Sequence, residues 1–196
     1  MTNAAAVAGQ PPGDSAGRGQ PPDWLQERLF ERRIVFIAGR LDEALAARTA
    51  AQLMVLDERG DEPITVHLDC GDSTLEAAFV VIDALGALRS AVHVHCRGQV
   101  GGPAIGIVAA ADRRSAFAHT RFRLAQPAAE FSGTADEVAA RSRQQQDLLW
   151  SLLARVAQAT GRPVEEIAVD MRRGRYLDAR EALHYGLIDA ITPAAP

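Results

Sequence analysis

Cysteine is nearly missing from this chain of 196 residues: only Cys70 and Cys96 occur. They stand at strand-like positions without CxxC spacing, so metal chelation and a disulfide framework both lack support, and buried free thiols in a reducing compartment are expected. Aromatic residues make up only 5% of the chain, and 25 acidic residues outweigh 21 basic ones. With no basic stripe and no interleaved aromatics to track a backbone of phosphates, nucleic acid is excluded as an expected partner. No apolar run approaches the ~18 residues of a membrane span. The start also lacks the charged-then-apolar order of a signal peptide, so no membrane contact and a cytoplasmic location are expected.

What is present is a single domain's worth of sequence, long enough for a substantial core without covalent staples. Residues 1–22 are mostly Ala, Gly, Pro, Gln and Ser, a composition that buries too little apolar surface to offset chain entropy, and they read as a disordered tail. The ordered domain is expected over 23–196. Asp23 is placed as the N-cap of a short amphipathic helix carrying Trp24, Leu25 and Leu29, which feeds a strand from Arg33 to Ala38. A helix over Leu41–Leu56, a strand over Ile64–Leu68 and a helix over Leu75–Leu88 follow. Strand alternating with helix marks crossover units and a parallel sheet, hence an α/β fold.

The third unit is the most informative. Its strand, Ala91–Cys96, runs into the turn Arg97-Gly98-Gln99-Val100-Gly101-Gly102-Pro103 and then into a small-residue helix over Ala104–Ala111. A strand-to-helix elbow of this kind presents its central residue clear of both elements, beside helix N–H groups able to stabilise an anion. Here the centre is Gly102, and Pro103 suits a first helical position because its missing N–H would be unpaired there anyway. Beyond it lie a strand over Arg121–Leu124, a long helix over 134–160 that is polar through Arg141–Gln146 and apolar in its second half, short helices over Val164–Met171 and Ala179–Tyr185, and a closing stretch Leu187–Ile191. A helix apolar in one half only is expected to project from its domain.

These stretches, taken in order, resemble a known family. Glu27-Arg28-Leu29-Phe30-Glu31-Arg32-Arg33-Ile34-Val35-Phe36, the Cys96-Arg97-Gly98-Gln99 turn, Gln126-Pro127 and Glu181-Ala182-Leu183-His184-Tyr185-Gly186-Leu187-Ile188-Asp189 resemble the proteolytic subunit of the ATP-dependent Clp protease, a serine peptidase of the S14 type. The likeness runs from Trp24 to about Ile191, with a short deletion around Ala111–Phe117. It implies a ClpP/crotonase-like fold of repeated strand–helix units, with the long helix as a handle that joins two rings of subunits.

The resemblance also implies where a Ser-His-Asp triad belongs, and none of its members is present. The serine position falls on Gly102, the histidine before Gln-Pro on Ala125, and the aspartate before the Arg-aromatic-Leu stretch on Gly174. One oxyanion donor of the family is the N–H after the serine, and Pro103 has none; losing one such donor typically costs ~3 kcal/mol of transition-state stabilisation. The other comes from a Gly-Gly pair replaced here by Asp72 and Ser73, and a carboxylate near the hole opposes an oxyanion. The expectation is a catalytically degenerate, non-cleaving subunit that acts as a structural or regulatory member of a ring, alone or with active paralogues. No cofactor and no metal are expected.

Other residues are weighed against plainer roles. His93 and His95 share one strand face, but no nearby Cys or carboxylate completes a ligand set, so a structural pair is favoured over a metal site. Ser115 and His119 are considered as a relocated nucleophile and base, a pairing that spacing alone does not establish. His184 reads as a surface residue. Among ring contacts the candidates are Gln126, Arg172 and Arg173. Arg172 stands where the family has an acid that pairs across the ring interface, so self-pairing brings like charges together and a different, acidic partner surface is expected; a solvated basic turn is the plainer reading. ATPase docking is doubtful, because Thr65, His67 and Ala87 replace the aromatics of the family's docking pocket. Two alternatives stay open: a crotonase-like enzyme acting on acyl-CoA thioesters with Asp72 and Glu76 repurposed, and a stand-alone interaction protein.

Overall fold

The computed structural model describes residues 22–128 and 132–193. Apart from Pro22, the tail expected over 1–22 lies outside the described residues.

Three strand–helix units build the larger layer. Strands β1 (Ile34–Ala38), β2 (Ile64–Asp69) and β3 (Val92–Cys96) pair in parallel, then β5 (Arg113–Phe117) and β8 (Ala190–Thr192) extend the sheet in the order β1-β2-β3-β5-β8. Each of the first three strands alternates buried and half-buried residues. One face therefore contributes Val35, Ile37, Val66, Leu68, Val94 and Cys96 to the core. The helices α2 (Glu43–Glu58), α3 (Leu75–Ala87) and α4 (Ile105–Ala110) fill in against that core with Leu53, Leu56, Val81, Ile82 and Ile107. The opposite face carries Phe36, Thr65, His67, His93, His95 and Ser115, all half-buried.

A smaller sheet, β4 (Gln99–Gly101), β6 (Arg121–Leu124) and β7 (Arg175–Asp178), sits at the end of the domain where β3 leads into the elbow. β4 pairs with β6 in parallel, and β6 with β7 antiparallel. Helix α5 (Ala135–Thr160) starts with a capping box between Thr134 and Glu137 and stops at Gly161, which adopts a left-handed φ of 70°. Its buried residues, Leu152, Leu153 and Val156, all fall in its second half, where the sequence is apolar. Gly106 of α4 permits the contact: a Cβ there would collide with the Leu152 and Ile82 side chains. Helices α6 (Val164–Arg173) and α7 (Ala179–Tyr185) close the domain.

Several sequence expectations need correction. Strands β4, β5 and β7 are absent from the periodic reading, because β4 and β7 are short and β5 opens on Arg113 and Arg114 rather than on apolar residues. Asp23 is the first residue of α1 (Asp23–Glu31), and Pro22 occupies the cap, its carbonyl accepting from the N–H groups of Leu25 and Gln26. Trp24 is 66% exposed, so the apolar face of α1 rests on Leu25, Leu29 and Phe30 instead.

The edges of the sheet are held by charged side chains used as clamps. Arg33, the one described non-glycine residue with positive φ (57°), donates to the carbonyls of Leu56, Gly60 and Glu62 and to the Ser90 hydroxyl. Asp57 accepts from the N–H groups of Ser90 and Arg89, which holds its carboxyl at about 2. No described helix is long and apolar enough to cross a membrane.

Candidate functional site

The elbow is built by the backbone. β4 ends at Gly101, a tighter helical turn spans Gly102–Ala104, and α4 begins at Ile105. The Gly101 N–H donates to the Cys70 carbonyl at 2.9 Å, and a Cβ on Gly101 would stand 2.9 Å from the Gly71 oxygen. The loop after β2 thus lies directly against the elbow, which is why that stretch is glycine. Gly98 is fixed in the same way: its φ is 54°, and a Cβ would strike the Asp69 carboxylate that accepts the Gln99 N–H.

Gly102 differs from both. Its φ of 56° is the left-handed value of an elbow residue, yet a Cβ there would meet only the Ala125 carbonyl oxygen, 4.0 Å away. The space in front of it is open. Ala125 arrives at the end of β6, buried beside this opening. Gly174 caps α6 with a φ of 68°, and the next residue, Arg175, pairs in register with Leu124, which precedes Ala125. The Gln126 N–H donates to the Met171 carbonyl at 3.1 Å, tying the same two segments together. Three positions more than 70 residues apart in total therefore gather at one end of the small sheet.

The profile of the Clp protease family matches residues 18–195. The chain belongs to the Clp protease family.

In this member of the family, the surroundings of the gathered positions hold little that is reactive. Pro103 is buried within the turn and offers no N–H. Asp72 is exposed and pairs with Arg40 at 3.5 Å, while its carbonyl accepts from the Cys70 thiol and the Leu41 N–H. Ser73 is 3% exposed and its hydroxyl has no partner among the described residues. Burial raises the Cys70 thiol above its ordinary pKa and pushes the Cys96 thiol far higher, so both are protonated thiols at neutral pH. Glu76 is exposed in the first turn of α3.

The remaining candidates divide between two places. Arg172 and Arg173 are exposed in the last turn of α6, and Gln126 is exposed beside them in the chain that follows β6. His184 is exposed on α7. Beyond β5, Asp170 is buried and accepts from the Tyr185 hydroxyl at 2.9 Å and the Arg175 guanidinium at 3.0 Å, bracing α6 against α7.

The open face of the large sheet holds the rest. Register alignment places Phe36, His67, His95 and Ser115 in one row across four strands. Phe36 stacks on His67 at 4.8 Å between ring centres, and His67 lies 5.5 Å from His95. Ser115 is hydrogen-bonded to His95 Nδ1 at 2.7 Å. The structure thus pairs Ser115 with His95 and not with His119, which is exposed in the turn after β5. Sequence spacing missed this pair because a parallel register joins residues 20 apart in the chain. Among the described residues no carboxylate hydrogen-bonds the imidazole, so the arrangement there lacks the orienting third member of a nucleophilic triad. Among the described residues no three His, Cys, Asp or Glu side chains cluster as a metal site.

Proposed function

We propose that this chain is a non-catalytic subunit of a Clp-type assembly: a fold that presents the elbow of a serine peptidase without the peptidase's chemistry. The observation that carries the reading is Gly102. It stands at the elbow with the required left-handed backbone and open space in front, beside Ala125, with no hydroxyl, imidazole or thiolate among the residues gathered there. Pro103 withdraws a backbone donor at the next position, which weakens any oxyanion stabilisation that substrate binding alone would leave.

On this reading the retained surfaces, including the handle helix α5 and the basic end of α6, serve assembly. Arg172 and Arg173 disfavour pairing with their own copy and favour an acidic surface of an active paralogue. Exposed ion pairs contribute only about 0–1 kcal/mol each, so these arginines select a partner more than they hold it. Thr65 and His67 replace apolar anchors on the open sheet face, which argues against strong docking of an ATPase by this subunit alone.

The test is direct. Incubated with a serine-reactive fluorophosphonate probe and with fluorogenic peptides, the purified protein should show neither labelling nor cleavage. Labelling at any serine together with peptide cleavage overturns the proposal. Native mass measurement, alone and with an active paralogue, tests the assembly: a stable double ring of this subunit by itself refutes the partner role of Arg172.

A further inference from the structure

A cavity of about 650 Å³ opens beside the Ser115–His95 pair, between β3, β5 and the ends of α4, α5 and β8. Its volume falls in the range of small-molecule sites. Small side chains, Ala109, Ala111, Ala159 and Ala190, form its apolar part, and the polar part is unequally occupied.

Of the two carboxylates at the cavity, one is held by a backbone N–H and the other by a cation. Asp112 accepts the Val92 N–H at 2.7 Å. Asp189 accepts the Arg114 N–H at 2.8 Å and two bonds from the Arg114 guanidinium. Burial pushes the Asp189 carboxyl up, but these donors outweigh it and keep it below the ordinary value. Arg114 in turn is consumed by Asp189 and by the carbonyls of Ala159 and Gly186. The donors left over are different: Arg113 and His93, which face each other in register, have no hydrogen-bond or ion-pair partner among the described residues. His95 and the Ser115 hydroxyl stand next to them.

We propose that this cavity binds a small organic anion, a molecule with one phosphate or carboxylate head on a compact apolar body. Asp189 is neutralised by Arg114 and Asp112 is tied to a backbone N–H, whereas the unpartnered Arg113 guanidinium and His93 imidazole and the Ser115–His95 pair border the same space. Arg113 is the natural fork for an oxyanion, and His93 and Ser115 supply the second and third donors. The alanines receive the body of the ligand. This inference is independent of the elbow, since nothing at Gly102, Ala125 or Pro103 takes part in it.

The charged groups around the imidazoles set the pH dependence. His95 faces His93 on its own strand, His67 on β2, and Arg113 and Ser115 on β5, with Arg97 also near His67 and Asp112 at the cavity's edge. Burial first, and then the neighbouring His93, hold His95 below the ordinary histidine value, so without an anion it is neutral at pH 7. An anion reverses the balance and favours the imidazolium, so binding strengthens as pH falls.

The experiment is isothermal titration of the full-length protein with phenyl phosphate and with benzoate, using phenol as the uncharged control. Saturable binding of one or both anions is expected, with none for phenol, and with affinity rising from about pH 8 to about pH 6. The two anions separate a phosphate from a carboxylate head. Arg113→Gln should weaken binding ~10-fold or more, the loss of a charge-assisted fork, while Arg172→Gln leaves it unchanged. Because Arg113 is exposed and unpaired, its variant should keep the wild-type circular dichroism and melting temperature. Absence of saturable anion binding, equal binding of phenol, or unchanged affinity in a folded Arg113→Gln protein overturns the proposal. None of these outcomes bears on the serine-probe result.

Discussion

The elbow lies past the end of β3, the open face runs across β1, β2, β3 and β5, and the two have taken opposite courses. At the elbow the backbone is specified closely: Gly98 and Gly101 are each fixed by a neighbour that leaves no room for a Cβ, yet Gly102, Ala125 and Gly174, which gather there, carry no reactive side chain. On the open face the backbone is ordinary parallel strand, and reactive side chains crowd it: His67, His93, His95, Ser115 and Arg113. The difference teaches that scaffold and chemistry are separable. Core packing holds the elbow's shape whether or not a nucleophile occupies it, while a half-buried sheet face imposes little on side-chain identity and so has room for new polar function.

If packing alone maintains the elbow, the largest effect should come from the core beneath it and not from the elbow itself. Leu152, fully buried against Gly106, should cost about 2–5 kcal/mol when replaced by alanine in urea denaturation. Trp150, two residues away on the same helix but 59% exposed, should change stability by less than about 0.5 kcal/mol on truncation. Comparable losses from both would break the comparison.

Refilling the elbow is the next test. Gly102→Ser meets open space and only the strain of a left-handed φ, so the variant should fold with a loss of about 1–2 kcal/mol. It should still fail to label with a fluorophosphonate, because Ala125 supplies no base and Pro103 no donor. Efficient labelling of Gly102→Ser would show that the elbow retains more chemistry than its residues indicate.

Acid titration should separate the histidines of the open face from the Asp57 clamp by pH. Burial and neighbouring cations depress His67 and His95, so the folded state binds these protons less readily than the unfolded chain. Stability is therefore full above the ordinary histidine value and declines as pH falls below it. The carboxylates act later. Asp57, held at about 2, contributes stability above the ordinary aspartate value that is lost as pH drops from there through about 2. Two successive declines are expected in melting temperature against pH, and His67→Gln with His95→Gln should remove the first only.

The smallest expected effect is Ser115→Ala. The hydroxyl's bond to His95 is partly exposed, so stability should fall by less than about 1 kcal/mol, while the His95 proton resonances move in an NMR titration. A shift at His119 instead would contradict the pairing.

How much of this was legible in the sequence follows from the range of each signal. β-Branched alternation and helical periodicity are local, and they located β1, β2, β3, β6 and all the larger helices within a few residues. β5 was hidden because its burial comes from neighbours on both sides, β3 and β8, and not from its own Arg113-Arg114 start. The glycine turn announced an elbow without showing which glycine faces open space. Only the packing of neighbouring residues distinguishes Gly102, where a side chain fits, from Gly98 and Gly101, where none does.

The sequence by itself determined the places of β1, β2, β3, β6 and the larger helices, the glycine elbow, and the point at which α5 changes from polar to apolar. These are properties of residue type and local spacing. The tertiary structure alone decided that Gly102, Ala125 and Gly174 come together, that Ser115 belongs with His95, and that Arg113 and His93 are left without partners beside a cavity whose acids are already bound. Parallel register and long crossovers bring distant residues into contact, and whether a charge is free or spent depends on what the rest of the chain has placed next to it.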